Sequence, residues 1–440
     1  MESWVDECRK TLRLAGPLVG AQGAIMSMAV VDNLVVGRLG PGPLAAMAMA
    51  LTLYYFCYII IIGILTTVGP LVSTAVSRGE AVGPTVRRAW LLSLTLSVGM
   101  IAACRQGHVL LPLLGQDPKL VPRADEFLRS ASWGVPAATG YLALRQFTEG
   151  TGDTRASVVI SGLAACINPF LDLGLILGRF GLPRLEMSGA GLALSTANWI
   201  AFLCLVGYLA CNRRYRAWPF WRGSGGTSML GLLKLGLPMG GSLLSEMSFF
   251  AVMTLLMGTL GTVQLASHQI AMNVCSLFFT LPLGLSFAAA LRLGEAAGRH
   301  DANAVRRAGR TSIAMVLVTQ CASCACFLLF AERIVSCYTE AVPVVALAAR
   351  LLRMGALFQV FDGLQVVGMG MLRGLLDTRV PFLNAIFSYW LVGVPCGVWL
   401  AFSRHWGPIG LWTGLITGLL VAACLHQWRF HRLSRGPAFG

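Results

Sequence analysis

Four carboxylates stand where carboxylates are expensive. Asp32, Asp172, Glu246 and Asp362 each fall inside a long apolar run, whereas most other acidic residues lie between such runs. An ionised side chain in an apolar span is costly, and where one persists it generally marks a substrate pathway, an ion site or a proton relay. The competing interpretation is architectural: a carboxylate tied to a backbone group or an arginine between helices. Asp172 favours the first. Asn168 precedes it by one helical turn and shares its face, and Pro169 between them kinks the helix and frees a carbonyl.

The depths agree as well. Helix rise from Arg13 to Asp32 is about 28 Å and from Arg155 to Asp172 about 26 Å, which puts both in the outer half of a bilayer. Thr196 enters from the outer end of its own run and reaches a similar level. Asp32, Asn168, Asp172 and Thr196 therefore form an expected oxygen-rich cluster. Two carboxylates so placed titrate as a unit, and the pair is expected to hold a proton when open to one side and release it when open to the other. The same oxygens also suit a hard cation, so sodium at Asp32 and Asp172, or at Glu246 and Asp362, is the competing ion.

Glu246 and Asp362 lie midway along their runs and make a second expected site. His268 and Gln269 open another run, either as a polar packing pair or as part of a cavity. Met247, Phe249, Phe250 and Phe287 are ordinary packing residues of the kind that also line a site for amphipathic molecules.

These residues are positioned by apolar helices. Hydrophobic residues make up 56% of the 440, charged residues only 12%, and mean hydropathy is +0.71. A soluble domain carries roughly 25% charged residues, and a membrane-crossing helix needs about 20 apolar residues in a row. Such runs occupy 12–37, 44–74, 87–114, 124–147, 156–179, 187–211, 232–257, 265–291, 309–331, 345–372, 380–402 and 408–430. The sequence thus predicts an all-α membrane protein with twelve transmembrane helices. Its first run is too long for a signal-peptide core and is expected to remain as a helix.

The net charge of +15 does not point to nucleic acid, because no basic surface with interleaved aromatics stands out. The basic residues gather in alternate loops. The ends and loops holding Arg9 to Arg13, Arg78 to Arg88, Arg145 to Arg155, Arg213 to Lys234, Arg292 to Arg310, Arg373 to Arg379 and Arg429 to Arg435 carry 23 of the 34, against 11 on the other side. Positive loops stay inside. Both termini are accordingly expected in the cytoplasm of a bacterial inner (plasma) membrane, together with residues 212–230, a basic and then Gly/Ser-rich linker at the midpoint.

An internal repeat divides the chain. Shifted by 221, residues 17–50 lie on 238–271 without a gap and are identical at 12 of 34 positions, Pro17/Pro238 and Gly40/Gly261 among them. EGTGDTR at 149–155 matches RGLLDTR at 373–379. Six crossings return the chain to its starting side, so the halves run parallel. They are expected as two pseudo-symmetric six-helix lobes, 1–220 and 221–440, around a central cleft. The carboxylates are not repeat-equivalent: Asp32 aligns with Met253, and Glu246 with Ile25. Each lobe therefore carries its own site.

Together these segments resemble the MATE (multidrug and toxin extrusion) family in its bacterial NorM-like branch. VVDNLVVGRLG (30–40), KLGLPMGGSLLSEMSFF (234–250), the block 265–298 and FDGLQVVGMGMLRGLLDTRVP (361–381) carry the likeness, which extends over nearly the whole chain. The resemblance implies a cation-coupled antiporter that exports cationic or amphipathic small molecules by alternating access. It needs no cofactor beyond the coupling proton or sodium, and works as a monomer in the lipid bilayer without nucleic acid. It assigns proton or cation coupling to Asp32, Asn168, Asp172 and Thr196, and a C-lobe cation or substrate site to Glu246 and Asp362, with Phe358 and Gln269 beside them. One departure bears on the ion. A Tyr usually stands one turn before the tenth-span aspartate, where this chain has Phe358. A hydroxyl is thereby lost from a family-type sodium site, which favours the proton.

A lipid-linked oligosaccharide flippase of the same superfamily is the nearest rival, but it calls for a cationic cleft. A major-facilitator transporter would carry G-x-x-x-D-R-x-G-R-R between its second and third spans, where this chain has SRGEAVGPTVRRA. A membrane-embedded enzyme would need a catalytic constellation. The six histidines are scattered, no P-loop, HExxH or GxSxG motif occurs, and the 13 cysteines lie mostly inside apolar runs. No enzyme activity is expected.

Overall fold

The computed structural model describes residues 4–217 and 225–435, and among them there is no strand. Eleven helical stretches of the described residues are long and apolar enough to cross a membrane. They run Asp6–Gly37, Pro41–Ser77, Gly83–Arg105, Arg155–Leu175, Glu186–Cys211, Met229–Leu260, Thr262–Gly298, Ala302–Ser336, Val342–Gly374, Arg379–Ser403 and Pro408–Leu433. The twelfth crossing, fourth in chain order, is broken. Val121–Ala131 and Val135–Gly150 are joined by one 3-10 turn at Ser132–Gly134. This segment carries Arg123, Asp125, Glu126, Arg129, Arg145 and Glu149, so hydropathy marks it only faintly. Four of these charges are paired within the segment, Asp125 with Arg129 at 2.7 Å and Glu149 with Arg145 at 2.6 Å, while Glu126 accepts from the Ser188 hydroxyl of the sixth span.

By packing, the chain forms two units, Gly20–Gly240 and Met1–Val19 with Gly241–Gly440. These are not the sequence halves 1–220 and 221–440, yet their boundaries obey the repeat. Gly20 and Gly241 are repeat partners, each just after a proline, Pro17 or Pro238, inside a helix that continues past it. The first and seventh spans therefore begin in one unit and end in the other. The core of the 20–240 unit centres on Met47, Tyr54, Phe127 and Leu128, with a second cluster around Ile64 and Phe147. The other unit is built around Phe249, Phe327, Phe358, Tyr389 and Trp412.

The repeat is visible in backbone detail. Gly40 (φ 110°, ψ 176°) and Gly261 (φ 132°, ψ 170°) precede the second and eighth spans in the same conformation, one that L side chains rarely adopt. The fourth and tenth spans end on the same turn. Gly152 N–H donates to the Glu149 carbonyl and Asp153 N–H to that of Thr148; Leu376 and Asp377 do the same with Arg373 and Leu372. Gly150 and Gly374 let these helix ends approach their neighbours. A Cβ on Gly150 would meet the Gly69 carbonyl oxygen at 2.7 Å, and one on Gly374 that of Ala290 at 2.6 Å.

The aspartate of each turn is then fastened to the last helix of its half or the chain just beyond it. Asp153 Oδ2 accepts from the hydroxyls of Tyr208 and Tyr215, both at 2.7 Å. Burial, and then the bond to Asp153, push the Tyr215 phenol up, so it remains a neutral donor. Asp377 Oδ2 accepts from Arg429 Nε at 2.7 Å. Of the linker 212–230, residues 218–224 lie outside the described residues. Beyond them Arg88 Nη1 donates to the carbonyls of Gly225, Gly226 and Thr227, which ties the linker to the start of the third span.

Candidate functional site

Asp32, Asn168 and Asp172 come together within the 20–240 unit. Asp32 lies near the end of the first span, which closes at Gly37, and Asp172 near the end of the fifth, which closes at Leu175. Both are at the end away from the basic loops. Asn168 and Asp172 are buried at about 1% exposure, and Asp32 is half-buried. The Asn168 side-chain amide joins the two carboxylates, donating from Nδ2 to Asp32 Oδ1 at 2.6 Å and to Asp172 Oδ2 at 2.8 Å. Asn168 Oδ1 is buried without a hydrogen-bond partner. Two acids meeting on one amide form a site that a single positive charge, proton or cation, would neutralise in part.

Thr196 is half-buried on the sixth span and, among the described residues, makes no hydrogen bond to this cluster. Its neighbour Ser195 is occupied elsewhere, donating to the Ser130 and Ala131 carbonyls at the break in the fourth span.

Within the other unit, Gln365 organises the second set. Its Nε2 donates to Glu246 Oε2 at 3.3 Å and to the Tyr389 hydroxyl at 2.7 Å. Asp362, 4% exposed, lies one turn before Gln365 on the tenth span, and its Oδ1 has no hydrogen-bond partner. Tyr389 is stacked on Phe249, ring centroids 5.0 Å apart and planes 9° from parallel. It sits in a π-helical stretch, Ile386–Gly393, of the kind that recurs at functional sites.

Phe358 is buried between Phe250 and Trp412, with ring centroids at 6.0 and 5.8 Å. Its contribution is an aromatic wall. Gln269 is exposed, while His268 beside it is buried. His268 Nδ1 accepts from Trp412 Nε1 at 3.1 Å and Nε2 contacts the Thr254 hydroxyl at 3.0 Å. The ring therefore ties the seventh, eighth and twelfth spans together.

Among the described residues no group of three or more His, Cys, Asp or Glu side chains is placed to hold a metal ion. Either carboxylate pair would have to complete a cation's shell with amide, hydroxyl or carbonyl oxygens. Gln365, Tyr389 and the His268–Trp412 bond escaped the sequence reading. Gln365 follows Asp362 by one turn, which was the available signal. Tyr389 arrives from another span through a π-helical turn that leaves no mark in composition.

The MatE family model matches residues 17–174 and 238–399, two segments whose starts are the repeat partners Pro17 and Pro238. The chain belongs to the MATE family, in its bacterial NorM-like branch. Among its relatives, the "Probable multidrug resistance protein NorM" of Xanthomonas axonopodis pv. citri is 38% identical over 442 residues, covering 98% of this chain and 95% of that protein. The "Multidrug resistance protein MdtK" of Yersinia enterocolitica is 33% identical and covers 100% of this chain and 98% of the relative. In fold, this MATE protein is similar to the eukaryotic MATE transporter AtDTX14, with a TM-score of 0.88 at 20% identity over 100% of this chain and 98% of that one. It is equally similar to an outward-facing multidrug resistance MATE transporter of the MOP superfamily, with a TM-score of 0.88 at 20% identity over 98% and 97%. The fold is thus the twelve-span MATE fold of a multi-pass membrane protein.

Proposed function

We propose that this MATE protein exports cationic or amphipathic small molecules from the cytoplasm across the bacterial inner membrane, in exchange for a cation. The observation that carries the reading is the pair of carboxylate sites within apolar spans, Asp32–Asn168–Asp172 in one unit and Glu246–Gln365–Tyr389 with Asp362 in the other. Acidic groups there attract positive charge, and a charge moves an otherwise symmetric transporter only if its occupancy differs between the two states. The names of the relatives, multidrug resistance proteins, support the substrate class.

The Asp32–Asp172 pair is the coupling site, and the proton is its ion. A proton can reside on either carboxyl, with Asn168 donating to the oxygens left ionised. Sodium is the second reading, since two carboxylates and an amide oxygen are hard ligands, to which the sequence adds the Thr196 hydroxyl as a candidate. The replacement of a hydroxyl by Phe358 in the other unit weighs toward the proton. Glu246 and Asp362 take the cationic substrate or a second ion. Both termini and the loops bearing the 23 basic residues face the cytoplasm, and the working form is a monomer in lipid. A flippase for an anionic pyrophosphate-linked sugar does not fit a site whose buried charges are acidic.

Uptake of a labelled organic cation into inverted membrane vesicles tests the reading. Accumulation that follows an imposed ion gradient supports export. Chemical conversion of the compound without accumulation contradicts it.

A further inference from the structure

The unit holding Glu246 and Asp362 contains another buried titratable group. His426, in the twelfth span, is 0% exposed. Its Nδ1 lies 3.3 Å from the backbone carbonyl oxygen of Gln365. A carbonyl can only accept, so the neutral ring carries its hydrogen on Nδ1. Nε2 is then a bare lone pair, and it is buried without a hydrogen-bond partner. Leaving a buried acceptor unpaired costs about 1–3 kcal/mol. A proton on Nε2 removes that deficit by turning the bare acceptor into a donor, with the Pro381 carbonyl near the ring. The protonated ring thus has two backbone carbonyls beside it, those of Gln365 and Pro381.

Its place in the unit is equally specific. The Gln365 whose backbone holds Nδ1 is the residue whose side chain binds Glu246 and Tyr389. Further along the twelfth span, Arg429 Nε donates to Asp377 Oδ2 in the turn that closes the tenth span at the basic end of the protein. His426 is therefore one step from the carboxylates on one side and one helical turn from Arg429 and its partner Asp377 on the other. Gly368 keeps the space for it: a Cβ there would come within 2.9 Å of His426 Cβ. The sixth span, the counterpart of the twelfth in the other half, contains no histidine, so the feature belongs to the C-terminal half alone. The other charged and titratable groups on the packed elements are Arg350, Arg353 and Arg373 with Asp362 on the tenth span. Arg379, Tyr389 and Cys396 are on the eleventh, and Cys424, His431 and Arg432 are on the twelfth itself. The ninth span, which meets the twelfth where Gly309 faces Phe430, carries Arg306, Arg307 and Arg310, and His268 on the eighth bonds Trp412.

We infer that His426 is a proton-carrying residue of the transport cycle, taking up a proton at Nε2 from the Glu246–Asp362 level and releasing it toward the Asp377–Arg429 turn. A carboxyl group loses the proton and becomes a carboxylate. The imidazole gains it and becomes an imidazolium bonded to the Gln365 and Pro381 carbonyls. Release toward the basic end restores the bare Nε2. The C-terminal half thereby has its own proton exit, separate from Asp32 and Asp172. The inference rests on the proton-coupled reading given above.

The test uses the full chain in lipid vesicles and has two arms. In the first, nitrogen-15 histidine resonances are followed by NMR, with His426→Gln identifying the His426 signal. Nε2 is expected to gain a proton as the pH falls from about 8 to about 4, a window that reaches below the usual range of histidine switches, and Glu246→Gln is expected to move that transition. In the second, accumulation of ethidium driven by a pH gradient is compared with gradient-free exchange of ethidium. His426→Gln and His426→Asn are expected to lower accumulation by at least about tenfold, at the low end of what proton-transfer groups contribute, and to leave exchange unchanged. A ring that keeps a bare Nε2 throughout that range, full accumulation in both variants, or equal loss of exchange and accumulation each overturns the inference. A wild-type protein that ignores the pH gradient and answers only to sodium removes the proton-coupled reading, and this inference with it. That outcome is told apart because Asp32→Asn is then equally without effect on the response to pH.

Discussion

Asn168 donates its side-chain amide to Asp32 across two different spans, at 2.6 Å, and the same nitrogen reaches Asp172 on its own helix. One neutral donor thus joins the end of the first span that holds Asp32 to the fifth span, whose helix carries Pro169 between Asn168 and Asp172. Any change in the charge of either carboxyl is felt by both helices, which is the differential contact that coupling requires.

Asn168→Ala removes that donor and leaves two buried acids facing one another. The loss of hydrogen bonds to ionised groups, about 1.5–3 kcal/mol each, is expected to lower gradient-driven export by roughly tenfold or more. The protein should still insert and accumulate in the membrane. Efflux rates normalised to membrane-resident protein check this, and wild-type rates would detach Asn168 from the site.

Glu246→Gln and Asp362→Asn are each expected to weaken export of cationic drugs. Asp362 Oδ1 has no partner, so an amide there keeps the volume and loses the charge. Drug-resistance assays paired with direct binding of an organic cation are the measurement. Loss of binding in both variants, with Asp32→Asn still binding, places substrate in this unit. Unchanged resistance and binding in both would dissociate these carboxylates from transport.

Much of this was legible beforehand, and the reasons are physical. Apolar length fixes the crossings, and charge cost singles out Asp32, Asp172, Glu246 and Asp362. The pairing of Asn168 with Asp172 follows from a one-turn spacing. Partners drawn from distant spans were not legible: Gln365 with Tyr389, or His268 with Trp412, depend on how helices rotate against one another. Thr196 and Gln269 show the converse, since depth along a helix does not say which way a side chain faces. The broken fourth crossing, with its internal ion pairs, is too polar for apolar length to bound it well. The exchange of the first and seventh spans between units at Gly20 and Gly241 leaves only a proline and a glycine in the sequence.

That exchange has a stability consequence. Glu7, 1% exposed at the start of the first span, pairs with Arg292 of the eighth at 2.8 Å within the same unit. Removing one partner of a buried pair costs up to about 3–5 kcal/mol when it strands the other charge; Arg292 keeps Glu295 as a second partner, so the loss falls toward the lower end. Glu7→Ala is expected to lower the melting temperature in detergent far more than an alanine at the exposed Glu332, whose pairing with Arg353 is superficial. Equal melting temperatures for the two variants would contradict the packing of the first helix described above.

Loop charge sets a topological expectation. With 23 basic residues on one side and 11 on the other, a reporter fused after Gly440 should be active only as a cytoplasmic fusion. A fusion active only in the periplasm would invert the orientation, and with it the direction assigned to export.

The central claim is that Asp32 and Asp172 couple a proton to drug movement. It is tested most directly in inverted vesicles carrying an imposed pH gradient and no sodium, with wild type and Asp32→Asn compared for accumulation of an organic cation. The account predicts that wild type accumulates the compound and that Asp32→Asn, present in equal amount, does not. Accumulation by Asp32→Asn that still follows the pH gradient, or accumulation by wild type only when sodium is supplied, contradicts it.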